Sequence, residues 1–153
     1  IAYWVAGFSQ FGRSIPEFVV NLGGEPVPCG FALASRVRNY GGDLTLAANA
    51  SLLERDFEVV LFKGRSPFRY GLYFIGALTR TLGSLPGVTL ERASKLDIPA
   101  AGDSRIYVQV DGEFAGRLPA RVEIINDALT ILMPADARTR LGIRAEALIP
   151  AAG

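Results

Sequence analysis

The sequence predicts a mainly β protein: an antiparallel β-sandwich with two or three short helices, built as a single domain over residues 1–153. Three observations carry that expectation. About eight short runs are rich in β-branched and aromatic residues, several of them in strict apolar/polar alternation. Glycine, proline and Asn-Asp breaks separate those runs at short intervals. Helical spacing occurs in only a few places, too few for a fold of alternating strand and helix units.

Along the chain, Trp4, Phe8 and Phe11 fall at helical spacing in the segment from Ala2 to Phe11, and Pro16 bars its continuation. Phe18 to Leu22 and the run from Val27 to Val37 read as two strands joined by Gly23-Gly24-Glu25-Pro26. Pro28 places the start of the second strand at an edge or in an irregular stretch, since proline gives the ladder no donor. Beyond the break Tyr40-Gly41-Gly42, Leu44 and Leu46 alternate with polar neighbours, and Phe57 to Phe62 forms an apolar strand. Pro67 suits the first turn of a helix running to about Leu82, with Tyr70, Phe74 and Leu78 on one stripe. Its apolar stretch is far short of the roughly 20 residues of a membrane span. Such a helix packs on a sheet or faces a membrane surface. Strands follow around Val88 to Ile98, Arg105 to Val110, Arg121 to Ile125 and Leu129 to Met133, with Asn126-Asp127 as a turn and Pro134 as a stop.

Composition narrows the function. With 16 basic and 15 acidic residues the net charge is +1, so no long-range field favours nucleic acid or an anionic membrane over other partners, and no nucleic-acid partner is expected. Histidine is absent, which excludes a Ser-His-Asp triad, a Cys-His pair and a histidine-ligated zinc from within these residues. Acid-base chemistry must then fall to carboxylates. The lone Cys29 cannot form an internal disulfide and is compatible with a reducing cytoplasm. Half the residues are apolar, more than is usual, so part of the surface is expected to meet a ligand, another domain or another chain. A chain opening on Ile1 reads as a fragment of a longer polypeptide.

Asp111-Gly112-Glu113 closes the alternating run Arg105-Ile106-Tyr107-Val108-Gln109-Val110 and is the principal candidate site. Period-two alternation puts Ile106, Val108 and Val110 on one face and Arg105, Tyr107, Gln109 and Asp111 on the other. Asp-Gly between apolar runs signals a tight hairpin, because both residues tolerate positive φ. Two carboxylates flanking a glycine also suit proton transfer or a divalent cation, and both readings stand at this level. Glu54, Asp56 and Glu58 alternate into a strand, where they offer oxygens to a hard cation or a solvated face. Arg36 and Arg38 share one side of their strand, a place to meet phosphate or simply solvent. Neither Asn39-Tyr40-Gly41-Gly42 nor Leu22-Gly23-Gly24 is a phosphate-binding loop of the lysine-containing type, and neither opens a helix.

Taken in order, several segments carry more than each does alone. They are Ala2-Tyr3-Trp4-Val5-Ala6-Gly7, Asn39 to Ala47, Ala50-Ser51-Leu52 with Phe57 to Leu61, Leu85-Pro86-Gly87-Val88, Val108 to Glu113, and Ala128 to Pro134. This succession resembles the C-terminal domain of the diacylglycerol kinase and sphingosine kinase family of lipid kinases, over nearly the whole chain. The resemblance implies a β-sandwich forming one wall of an interdomain cleft in a two-domain, cytoplasmic enzyme acting at the membrane surface. Its partners would be a lipid substrate and its own N-terminal α/β domain, with peripheral membrane contact. ATP and Mg²⁺ would be held mainly by that N-terminal domain, whose Gly-Gly-Asp-Gly-Thr motif does not occur here.

By the same resemblance Asp111 is the general base toward the lipid hydroxyl and Glu113 its partner near nucleotide and magnesium. Asn39, Tyr40, Gly41 and Gly42 are implied on the nucleotide side, and Glu54 and Asp56 at a metal. Three positions depart from the family pattern: Glu54-Arg55 where many members have Asp-Gly, Asp43 where a third glycine is usual, and Ala48 in place of a proline. Two other readings remain: a noncatalytic lipid- or protein-binding sandwich, and a kinase of a soluble acceptor such as a nicotinamide dinucleotide.

Overall fold

The computed structural model describes residues 15–40, 44–102, 106–126, 128–129 and 132–140. The fold is mainly β and all its strand pairs are antiparallel. Its centre is the strand Phe57–Phe62, every residue of which is buried. A strand apolar at every position but Glu58 is buried throughout only if both of its faces are covered.

Covering comes from two sides. We label the strands in chain order: β1 Phe18–Val20, β2 Val27–Cys29, β3 Phe31–Ser35, β4 Asn39–Tyr40, β5 Leu44–Thr45, β6 Phe57–Phe62, β7 Val88–Ala93, β8 Lys95–Ile98, β9 Tyr107–Val110, β10 Glu113–Arg117 and β11 Ala120–Glu123. The helices are α1 Pro67–Leu78 and α2 Ala135–Arg140, with a short 3-10 turn at Leu82–Ser84. One sheet has the order β3-β6-β7. A second layer holds the pairs β1-β2 and β8-β11, joined by the bridge of Asn21 to Asp97, whose amides and carbonyls exchange hydrogen bonds of 2.8 and 3.0 Å.

Between these layers Phe57, Val59 and Leu61 pack with Val20, Cys29 and Leu96. On the opposite face of β6, Val60 and Phe62 pack with Tyr73 and Ala77 of α1, together with Ala47, Ala50 and Leu82. Side-chain alternation along β6 thus feeds two separate cores. The sheet is a sandwich wall on one side and a helix platform on the other.

Glycine explains how one run of chain serves both layers. The predicted strand from Val27 to Val37 is broken at Gly30, where the chain passes from β2 in one layer to β3 in the other. A Cβ at Gly30 would collide with the Tyr70 hydroxyl, which donates to the Phe62 carbonyl at 3.2 Å. The run from Val88 to Ile98 divides in the same way at Ser94, whose carbonyl accepts from the Ile124 amide at 2.9 Å.

Helix α1 starts as expected, with Ser66 extended and Pro67 in the first turn. It ends earlier than the periodicity suggests, because Thr79 caps it and Arg80 takes φ 60° in the left-handed region. Among the described residues no helix is long and apolar enough to cross a membrane. The expected strand at Leu129 to Met133 is not present in its described part. Leu129, Leu132 and Met133 lie outside any strand, and Leu129 and Leu132 are exposed, so the apolar run there is surface. The predicted helix at Ala2 to Phe11, and Gly41, Gly42, Asp43, Arg105, Asp127, Thr130 and Ile131, lie outside the described residues.

Candidate functional site

The Asp-Gly signal forms the turn it predicts. Strands β9 and β10 pair with Val110 opposite Glu113, leaving Asp111 and Gly112 as a two-residue loop. Their φ values of 49° and 94° are both positive, the condition for the primed turns that match the twist of a hairpin. Aspartate tolerates that region because its short carboxylate interacts with nearby backbone. Asp111 and Glu113 are both exposed, so the hairpin presents two carboxylates at its tip rather than burying them.

Alternation then decides what lies beneath the tip. Tyr107, Gln109, Phe114 and Arg117 share one face through the pairs Gln109–Phe114 and Tyr107–Arg117. Tyr107 and Phe114 meet edge to face with ring centroids 5.9 Å apart, and the Arg117 guanidinium stands 5.2 Å from the Tyr107 ring centre. These contacts stiffen an otherwise isolated two-stranded ribbon. On its other face Ile106 is buried and Val108 half-buried, which anchors the base of the ribbon. Phe114 and Arg117 are absent from the sequence-derived site. The signal for them was the hairpin itself, which implies a returning strand after Glu113.

The remaining candidates separate into two places. Asn39 and Tyr40 form β4, paired with Thr45 and Leu44 of β5, and Thr45 Oγ1 lies 3.4 Å from Asn39 Oδ1. Both are exposed, and Gly41 and Gly42 lie outside the described residues. Glu54 and Asp56 belong to the loop before β6. Two nitrogens of Arg92, on β7, donate to the two Asp56 carboxylate oxygens, Nε to Oδ2 at 2.8 Å and Nη2 to Oδ1. That hydrogen-bonded pairing holds the Asp56 carboxyl below its usual range.

Glu54 contributes its backbone rather than its carboxylate to this loop. Arg36 Nη2 donates to the carbonyls of Leu52 and Glu54, both at 2.6 Å, so a guanidinium gathers the loop. Glu58 leaves the alternation of exposed acids altogether. It is 3% exposed and accepts from the Asn49 amide at 2.8 Å and from Asn49 Nδ2 at 2.9 Å. Its carboxylate ties the loop at Asn49 to the central strand. Among the described residues no three acidic or cysteine side chains gather closely enough to hold a metal ion.

Cys29 sits inside the sandwich, where burial pushes its thiol up to about 12. It is an inert core residue, since only the thiolate reacts. Tyr73 donates to the Lys63 carbonyl at 2.8 Å, and burial raises the hydroxyl pKa of both Tyr70 and Tyr73. These hydroxyls bond backbone beneath α1 and face no carboxylate of the hairpin.

No protein-family model matches the chain. Diacylglycerol kinases of two strains of Mycobacterium tuberculosis are each 26% identical to it over 136 residues, covering 86% of this chain and 43% of the relative. The chain therefore spans a little under half the length of these curated relatives. The similarity is distant, and it is to a kinase.

Proposed function

We propose that this chain is the lipid-substrate side of an ATP-dependent lipid kinase, with Asp111 as general base and Glu113 as its supporting carboxylate. The observation that carries the reading is the hairpin: the two carboxylates stand on an ordered, exposed turn, within a chain distantly similar to diacylglycerol kinase over most of its length. Phosphoryl transfer is mainly a matter of positioning and charge stabilisation, and it needs one carboxylate to orient the attacking hydroxyl. No histidine is required, and the chain has none.

Magnesium is usually held by one or two carboxylates together with substrate phosphates, so Glu113 and Asp111 fit it without an all-protein cage. When bound, the cation neutralises phosphate charge. Within this chain the work is positional. The primed turn fixes the backbone of Asp111, the Tyr107–Phe114 pair fixes the ribbon, and the carboxylate reaches outward toward a hydroxyl about 3 Å away. The nucleotide is held mainly by a further domain, since the relatives are more than twice as long as the matched part. The acceptor is a lipid hydroxyl of the diacylglycerol or sphingoid type.

The test is transfer of labelled γ-phosphate from ATP to diacylglycerol in mixed micelles. We expect transfer by a polypeptide that adds an upstream nucleotide-binding domain, and none by residues 1–153 alone, because one wall cannot hold phosphate and hydroxyl in line. Turnover by the chain alone would refute the division of labour. Transfer to a soluble dinucleotide in preference to lipid would refute the acceptor class.

A further inference from the structure

The loop between β5 and β6 carries Glu54 and Asp56, the two positions where the resemblance implies a metal ion. Two of its carbonyls, those of Leu52 and Glu54, converge on one point, each 2.6 Å from it. Carbonyl oxygens carry partial negative charge, and two that converge in this way repel unless a positive group stands between them. Calcium would sit at that spacing, about 2.3–2.6 Å from each oxygen. In this chain the point is occupied by Arg36 Nη2.

The other oxygens a cation would draw on are committed as well. Both carboxylate oxygens of Asp56 accept from Arg92, through Nε at 2.8 Å and through Nη2. Glu58 is buried and accepts from the backbone and side-chain nitrogens of Asn49. The pairing of β6 with β7 sets Arg92 opposite Glu58, so the second guanidinium is placed by the sheet register. Arg36 directly follows β3, and its Nε is buried with no acceptor among the described residues, which marks a guanidinium packed in place rather than a solvated surface charge. Arg36, Arg55 and Arg92 match Glu54, Asp56 and Glu58 in number, so these side chains leave no net negative charge to attract a divalent ion. A cation entering the loop would have to displace one guanidinium and face another nearby.

We propose that two guanidinium groups, Arg36 on the carbonyls of Leu52 and Glu54 and Arg92 on the Asp56 carboxylate, close the loop before β6 in place of a metal ion, and that Glu54 and Asp56 hold none. The order of the loop is then independent of divalent cations, whatever the hairpin binds. None of these residues belongs to the hairpin, so failure of the kinase reading would leave the closure of the loop untouched.

The test measures the chain after dialysis against about 5 mM EDTA and again in about 5 mM Mg²⁺ or Ca²⁺, a level that fills even weak cation sites. Thermal unfolding reports stability, and the amide resonances of Leu52 to Asp56 report the loop separately from those of Asp111 to Glu113. The parent should melt within about 2 °C of the same temperature in every condition, with the loop resonances unmoved. Arg36→Gln removes the group between the carbonyls and should lower the melting temperature by about 3–10 °C, equally with and without cation. Glu54→Gln keeps the carbonyl and removes only the carboxylate charge, so it should stay within about 2 °C of the parent. Loop resonances that move on adding Mg²⁺ or Ca²⁺, or stability lost in EDTA and regained with either ion, would overturn the proposal and give the loop to a metal. So would an Arg36→Gln chain as stable as the parent, or a Glu54→Gln chain as unstable as Arg36→Gln. Should Arg36→Gln fail to fold, the parent and Glu54→Gln measurements still decide between a guanidinium and a metal.

Discussion

Asp111 has two duties in this reading, a turn residue and a base, and three substitutions separate them. Asparagine tolerates the left-handed region as aspartate does, so Asp111→Asn should keep the hairpin and change stability by no more than about 0.5 kcal/mol. Asp111→Gly also accepts φ 49° and should keep the turn. Asp111→Ala places a Cβ with no compensating polar group in that region, at about 1–2 kcal/mol. For a chain of 153 residues that corresponds to a melting temperature lower by about 2–8 °C. Activity should rank differently. All three variants lose the proton acceptor, and each should lose about 10²–10⁴-fold in lipid phosphorylation when placed in the polypeptide that carries the nucleotide-binding domain. The assay pairs thermal unfolding of the chain with initial rates of that longer protein. If rates follow melting temperature, with Asn and Gly near parent and Ala alone impaired, Asp111 is only a turn residue and the base assignment falls.

Four further outcomes follow from the packing. Leu61→Ala, in the fully buried central strand, should cost about 2–5 kcal/mol in denaturant unfolding, because both layers pack on β6 and cannot close over the gap. Gly87→Ala should destabilise more than Tyr73→Phe: the first puts a methyl against the Tyr73 hydroxyl at φ 91°, while the second gives up hydrogen bonds to Lys63 and Pro86 carbonyls at about 0.5–1.5 kcal/mol. Asp56→Asn should lower the melting temperature at neutral pH. The folded pKa of Asp56 is depressed below 3.8, so its stabilisation is present above that pH and vanishes as pH falls through the lower folded value, where parent and variant should converge. Cys29 should resist alkylation at pH 8 until denaturant is added. With its folded pKa raised from 9.0 to about 12, the stability it contributes is complete below pH 9 and declines above it.

Much of the fold was legible because a few residue patterns admit one local structure. Phe57 to Phe62 is apolar at every position but Glu58 and forms the doubly covered strand. Pro67 marks the first turn of α1. Where reading by pattern failed, the cause lies in contacts far along the chain. The run at Leu129 to Met133 looks like a strand, yet its described leucines face solvent. Strand β10 was missed because Glu-Phe-Ala-Gly-Arg shows no alternation, and its register in fact shifts between Phe114 and Gly116, where a bulge inserts a residue. Helix α2 has six residues and no apolar stripe to announce it.

The candidate site divides along the same line. Asp111-Gly112 is a local signal, and its geometry needs only two residues and their φ values, so the sequence sufficed. The acids Glu54, Asp56 and Glu58 alternate identically in sequence but meet different fates: Asp56 is held by Arg92, 36 residues away, Glu58 is buried on Asn49, and Glu54 offers its carbonyl to Arg36. No local rule predicts which of three alternating carboxylates finds a cation, a buried amide or neither. That difference bears on function. Asp56 and Glu58 are already occupied by fixed intramolecular partners, and a ligand must displace those partners to use them. Asp111 and Glu113 stand exposed on a turn whose backbone is set by the hairpin, so an incoming hydroxyl or cation can be met without breaking structure. A carboxylate that is ordered yet uncommitted is what a base on one wall of a cleft requires. On the proposed reading the turn and the site are one feature, since the constraint that makes Asp-Gly a hairpin also leaves the carboxylate exposed.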